Sequence, residues 1–253
     1  MYSSSDMTGK TALITGAAAG LGKASALLLA QAGANLSLID INNEGLEETA
    51  QAARTSGVEV LVQAIDLSNS QNCQLAVAKT IATFGRLDAL CNVAAVMIPA
   101  HSDEMTDDAW DLTIAVNLTA PFKLIRAALP QLLEHQGAIV NVTSCAAFMG
   151  QAYLAAYSST KAALTHMTKS LAMEYMHKPI RINAVAPGGM MTALASGLRN
   201  IKDPDPSLIS RYSPLRGLVE IDEVAAMVAF LATDAANGYH GAIINIDKGI
   251  TAG

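Results

Sequence analysis

Thr11-Ala12-Leu13-Ile14-Thr15-Gly16-Ala17-Ala18-Ala19-Gly20-Leu21-Gly22 is the stretch on which the fold turns. Its first four residues are β-branched or apolar and read as a buried strand. Leu21 to Ala32 then places apolar residues three and four apart, the period of a helix. The glycine turn between them lets backbone approach a pyrophosphate closely. The helix N-terminus offers free N–H groups and a partial positive charge to hold it. The same glycines would also suit a tight strand-to-helix turn that holds no ligand.

The pattern repeats along the chain. Asn35 to Ile39 is a second strand, followed by a charged helix from about Asn43 to Ser56. Val58 to Ile65, Leu87 to Val93, Ala138 to Thr143, Ile180 to Val185 and Ala242 to Ile246 are further strand candidates, with helical stretches separating nearly all of them. Such alternation predicts βαβ units with right-handed crossovers. The expected fold is α/β: a single-domain, doubly wound parallel sheet (Rossmann fold) of about seven strands, helices on both faces, spanning 1–253. One irregular stretch, Gly188 to about Leu218, carries Gly197, Pro204, Pro206, Pro214 and Gly217. A loop that long in a compact domain reads as a mobile substrate flap.

The second strand ends near Asp40, about where a carboxylate accepts from both ribose hydroxyls of an adenosine. That carboxylate would repel a 2′-phosphate, and no Lys or Arg stands in Ala17-Ala18-Ala19 or Ile41-Asn42-Asn43 to welcome one. NAD is therefore expected rather than NADP. Asp40 could instead be only a helix N-terminal charge, although Asn42 or Asn43 could fill that role.

Tyr157 and Lys161 are four apart in a helical stretch, so their side chains share one helix face. A phenol of ordinary pKa about 10 is a poor base at neutral pH. A neighbouring ammonium, with the positive ring of NAD⁺, would bring it towards working range. Ser144 ends the Ala138 to Thr143 strand, and residues at the carboxyl ends of strands border the ligand crevice. Its hydroxyl could hold a substrate oxygen, or simply close a turn.

Taken together these residues resemble the short-chain dehydrogenase/reductase family across nearly the whole chain. Thr15 to Gly22 matches its Thr-Gly-x-x-x-Gly-x-Gly turn, and Asp66-Leu67, Asn117, Ser144, Tyr157/Lys161 and Pro187-Gly188 with Thr192 follow in order. The resemblance implies that Tyr157 is the proton acceptor or donor. Lys161 would lower its pKa and bond the nicotinamide ribose, Ser144 would fix the substrate oxygen, and Asn117 would keep a water linking Lys161 to solvent. Gly16, Ala19, Gly20, Leu21, Gly22, Asp40, Ile41, Asp66, Leu67, Asn92 and Ala94 would line the cofactor. Pro187, Gly188, Met190 and Thr192 would seat its carboxamide and phosphates. Relatives assemble through the helices bearing Asn117 and Tyr157, which implies a homotetramer or a dimer.

The chain departs from the family twice. Asn92-Val93-Ala94-Ala95 stands for Asn-Asn-Ala-Gly, losing an amide at Val93 and adding a methyl at Ala95. Asp247-Lys248-Gly249 stands for Asp-Gly-Gly.

A formal net charge of −6 argues against nucleic acid or an anionic membrane as partner. No unbroken apolar run approaches the roughly 18 residues of a membrane helix. Cys73, Cys91 and Cys145 lack C-x-x-C spacing, which fits a reducing, cytoplasmic setting. The five histidines show no paired metal-ligand spacing, so no metal is expected. Strand alternation points Cys145 away from the face of Ser144.

The expected substrate is a small molecule in an apolar pocket from Val96, Met97, Ile98, Phe148, Met149, Leu154, Met190, Met191, Leu194 and Leu198. That favours a hydrophobic secondary alcohol or ketone, of alicyclic, terpenoid or steroid kind. One alternative is a 3-oxoacyl thioester reductase, with Arg199, Lys202, Arg211 and Arg216 greeting an acidic carrier. Another is a non-catalytic dinucleotide-binding sensor, which would have no need of the Ser144/Tyr157/Lys161 set.

Overall fold

The amino half of the chain alternates strand and helix without a break: β1 (Thr11–Thr15), α1 (Gly20–Gln31), β2 (Asn35–Asp40), α2 (Asn43–Arg54), β3 (Val60–Ala64), α3 (Ser70–Phe84) and β4 (Ala89–Asn92). A long helix follows as α4 (Asp107–Ile114), a π-helical segment (Ala115–Thr119) and α5 (Ala120–Glu134). Then come β5 (Ala138–Val142), α6 (Ala155–Glu174), β6 (Arg181–Pro187), the short α7 (Pro206–Ser210), α8 (Ile221–Ala232) and β7 (Ile243–Ile246). This computed structural model describes residues 5–192, 194, 197 and 201–252.

All seven strands join one parallel sheet in the order β3-β2-β1-β4-β5-β6-β7. Every residue of β1 and β5 is buried, as parallel strands covered on both faces require. Alternation then sorts their side chains. Ala12, Ile14, Val140 and Val142 face a layer built by α1, α2 and α8. Leu13 and Ile139 face the layer of α3, α5 and α6. The strand order reverses between β1 and β4, so a crevice opens outside their carboxyl ends.

The strands are shorter than read from the sequence at β3 and β4 and longer at β6, which runs on to Pro187. The stretch 188–218 is not wholly irregular, since Asp205 caps α7 through Ser207 N–H. Asp107–Glu134 is one 28-residue helix with mean hydropathy 1.3 over its most apolar window, long and apolar enough to cross a membrane. Counting unbroken apolar runs missed it. Its inner face lies in the α3/α5/α6 layer.

Candidate active site

The glycine turn is held by contacts that only glycine allows. Gly16 has φ +70, and a Cβ there would stand 2.9 Å from Ala94 Cα, so the turn presses directly on the strand-β4 exit. A Cβ on Gly22 would meet the Gly16 carbonyl oxygen at 2.0 Å. Thr15 Oγ1 accepts from the Val93 and Ala94 N–H groups, both at 3.0 Å, and locks the two segments together. Helix α1 begins behind Ala19 with no capping side chain and no acid in its first turn. Its leading N–H groups are thus left to an anion from outside the helix.

Asp40 ends β2 beside this turn. Its carboxylate accepts from Ala18 N–H at 3.2 Å and from Asn42 N–H at 3.0 Å. Asn42, not Asp40, caps α2, by accepting from Gly45 N–H at 3.1 Å. Ile41 is exposed next to it. Asp66 accepts from Ser68 N–H at 2.8 Å as it leaves β3, while Leu67 is buried under the turn in the α3 layer.

The other wall comes from β6 and β7. A Cβ on Gly188 would meet Asp247 Cα at 2.9 Å, so these two strand ends touch. Met190 bridges to Val219, and Thr192 Cγ2 lies 3.8 Å from where a Gly20 Cβ would be. The Pro187–Thr192 segment therefore approaches the glycine turn through Thr192, and Asp40 borders the same turn through Ala18. An uncapped helix start at one end and a carboxylate at the end of β2 fit the diphosphate and adenosine ribose of a dinucleotide.

Ser144, Tyr157 and Lys161 meet at the mouth of β5. Ser144 caps a one-turn 3₁₀ helix, Cys145–Ala147, by accepting from Ala146 N–H at 3.1 Å. Tyr157 and Lys161 lie on one face of α6, with Lys161 Nζ 5.7 Å from the centre of the Tyr157 ring. Lys161 is only 2% exposed and donates to the Val142 carbonyl at 2.9 Å. Burial pushes its pKa down to about 8. Burial likewise pushes the Tyr157 phenol up to about 12, against a lowering hydrogen bond from Ser144 and a further rise from the Cys145 thiol. The ammonium was expected to depress the phenol. In the protein alone burial wins, because it disfavours the charge on both partners.

Asn117 sits in the π-helical segment, a local irregularity frequent at functional sites. Its Oδ1 accepts from Val96 N–H at 2.8 Å, and its Nδ2 donates to the Val96 carbonyl at 2.8 Å and to Thr160 Oγ1 at 3.2 Å. The side chain thus clamps the segment after β4 to helix α6. Asn92, by contrast, is buried in the sheet and donates to Asn141 Oδ1 at 2.8 Å.

Of the expected substrate residues, Leu154 packs with Ala146 and Tyr157, and Met97 lies against them. Val96, Met149 and Leu194 are half-buried. Met191 does not join the cluster: it is 73% exposed and lines a cleft of 460 Å³ with Leu218, Val219, Glu220, Ile221 and Asp222. Leu198 and Arg199 lie outside the described residues. Cys145 also corrects its sequence reading. The strand ends at Val142, so alternation no longer applies, and the thiol lies near Tyr157 rather than across the sheet. It is buried, and burial raises its pKa, which keeps it a thiol.

Both departures can be located in the structure. Val93 spends its N–H on Thr15 and packs its side chain against the α1/α8 layer. Lys248 takes φ +51, normally left to glycine, and its ammonium donates to the Leu218 carbonyl. Sequence reasoning missed the Asn117–Thr160 clamp; the Thr three residues after Tyr157 was its only local signal.

A family model described as enoyl-(acyl carrier protein) reductase matches residues 16–251. The cis-4-hydroxycyclohexanecarboxylate dehydrogenase of Sinomonas cyclohexanicum is 37% identical over 245 residues, 96% of this chain and 97% of that one. A 3-oxoacyl-[acyl-carrier-protein] reductase of Thermotoga maritima is 34% identical over 245 residues, 96% and 98% of the two chains. The solved carveol dehydrogenase from Mycobacterium avium, in complex with NAD, is 26% identical, with TM-score 0.86 over 97% of this chain and 99% of that one. The chain belongs to the short-chain dehydrogenase/reductase family, a family of oxidoreductases.

Proposed function

We propose that the protein is an NAD-dependent alcohol dehydrogenase/ketone reductase acting on the CH–OH carbon of a hydrophobic, alicyclic secondary alcohol. The observation that carries this is the convergence of Ser144, Tyr157 and Lys161 beside a glycine turn governed by Asp40. Asp40 and the leading N–H groups of α1 would hold the adenosine ribose and diphosphate. Gly188, Met190 and Thr192 would face the nicotinamide half. Bound NAD⁺ would supply the hydride acceptor and a positive ring charge that favours the phenolate.

In the oxidation, the carbinol hydrogen leaves as hydride and the hydroxyl proton passes to the Tyr157 phenolate. Ser144 holds the same oxygen throughout. Lys161, its pKa lowered by burial to about 8, supports the phenolate in its charged form. The reduction runs the same steps backwards. Leu154, Ala146 and Met97 give the substrate side an apolar wall. The relatives named for cis-4-hydroxycyclohexanecarboxylate and for carveol support a ring-shaped substrate.

A second reading, a 3-oxoacyl thioester reductase, draws on the Thermotoga relative and on the family model. Asp40 opposes it, because a carboxylate at that place repels the phosphate of NADPH. Initial rates with cyclic, acyclic, steroid and polyol alcohols, run with NAD⁺ and NADP⁺ in parallel, separate the two. The expected outcome is NADH formation on cyclic alcohols, with NADP⁺ at least tenfold poorer in kcat/KM. Activity only with NADPH and acyl thioesters would reverse the ranking.

We further place the enzyme in the cytoplasm as a homotetramer built of single-domain subunits. Cys73, Cys91 and Cys145 are all free and buried, and Trp110, Leu112 and Phe122 leave apolar surface on the α4/α5 helix.

A further inference from the structure

Tyr153 stands four residues before Tyr157 with φ +68, a left-handed conformation that an aromatic residue rarely adopts. Such strain persists only where surrounding contacts impose it, and here they come from two separate loops. The Tyr153 carbonyl accepts from Ala100 N–H at 3.0 Å, which fixes it to the segment after β4. Its phenol oxygen accepts from Asp205 N–H at 2.8 Å, across 52 residues, in the flap. Its ring meets the edge of His101 at 4.9 Å, and His101 Nε2 donates to the Lys202 carbonyl at 3.0 Å. One residue earlier, the Ala152 carbonyl accepts from the Tyr212 hydroxyl at 3.3 Å, a second tie to the flap.

The next residue, Leu154, packs directly on Tyr157. The strained turn thus has the flap on one side and the proton-transferring side chain on the other. We propose that Tyr153 is a positioning residue: it clamps flap residues 201–212 onto the loops that frame Tyr157 and so sets the affinity of the closed site for substrate. This rests on the dehydrogenase reading above for its catalytic consequence, though not for the clamp itself.

Tyr153→Phe keeps the ring, the backbone turn and the His101 contact, and removes only the oxygen that accepts from Asp205. A single hydrogen bond lost at this strength predicts about a three- to fivefold rise in KM for the alcohol. The kcat, the KM for NAD⁺ and the pH–rate profile stay within twofold, the pattern of lost binding shared by ground and transition states. Trypsin cleavage after Lys202 and Arg211 should quicken three- to fivefold, with the thermal midpoint of the whole protein unmoved. Unchanged KM and unchanged cleavage would overturn the clamp. A fall in kcat or a moved pH profile with unchanged cleavage would also overturn it, placing Tyr153 on Tyr157 instead of the flap. If the wild-type protein oxidises none of the alcohols, the dehydrogenase reading fails, and the cleavage rates alone still decide the clamp.

Discussion

At the two ends of the sheet, buried charges are treated in opposite ways. At the amino ends of the strands, Asp88 is buried and saturated. It accepts from Arg86 Nε at 2.8 Å and Nη2 at 2.6 Å, and from Thr11 N–H at 2.8 Å. Nearby, buried Arg181 donates to the Leu231 carbonyl at 2.8 Å and approaches Asp234, which also pairs with Lys10 at 2.6 Å. At the carboxyl ends, Lys161 is just as buried, yet among the described residues its ammonium meets a single carbonyl and an aromatic ring, and its pKa falls to about 8. Saturated charge holds strands in place and has nothing left to exchange. Undersupported charge costs stability and is ready to move a proton.

The sharpest test of this contrast is Tyr157→Phe, which removes the proposed proton acceptor and leaves the fold alone. Steady-state rates should fall by about 10³- to 10⁴-fold, with the urea midpoint little changed. In the wild type, alcohol oxidation should climb with pH, because it needs the phenolate, while ketone reduction should fade at high pH. A variant with more than a tenth of wild-type activity would remove Tyr157 from the chemistry.

Lys161→Met should separate stability from activity within one residue. Activity drops by about 10²- to 10³-fold. The unfolded lysine titrates near its ordinary value of 10.5, and the folded one near 8. The charged form is thus disfavoured in the fold, a cost fully present below pH 8 that vanishes as pH rises to 10.5. The variant should therefore be more stable than wild type at pH 7 by about 2 kcal/mol, after allowing for the lost hydrogen bond. The gap should close by pH 10, as read from urea unfolding at the two pH values. A destabilised variant at pH 7 would mean that Lys161 is structural.

Asp88→Ala should do the reverse. Orphaning the Thr11 N–H and the Arg86 guanidinium costs about 3 kcal/mol of stability. The kcat per folded molecule should stay at the wild-type value, measured below the new melting temperature. Loss of kcat in a still-folded variant would show that the two edges are coupled.

Much of the carboxyl-end site was legible in the chain because its parts are local. A strand, a glycine turn and a helix follow one another in Thr11 to Ala32, and Tyr157 and Lys161 share a helix turn by spacing alone. Asp40 could be placed because β2 ends where its apolar run ends. The misreadings came where local rules stop. Alternation was carried past the end of β5 to Cys145, and Met191 was grouped with Leu154 although it is exposed and lines a cleft with Leu218 to Asp222.

The sequence by itself determined the parallel sheet, the glycine turn and the shared helix face of Tyr157 and Lys161, since period, glycine position and four-residue spacing are properties of neighbouring residues. Tertiary structure alone decided the protonation balance of Tyr157 and Lys161, the engagement of Asn117 with Val96 and Thr160, and the bond between Tyr153 and Asp205. These depend on desolvation and on partners up to 52 residues apart, and both exist only once the layers have closed around them.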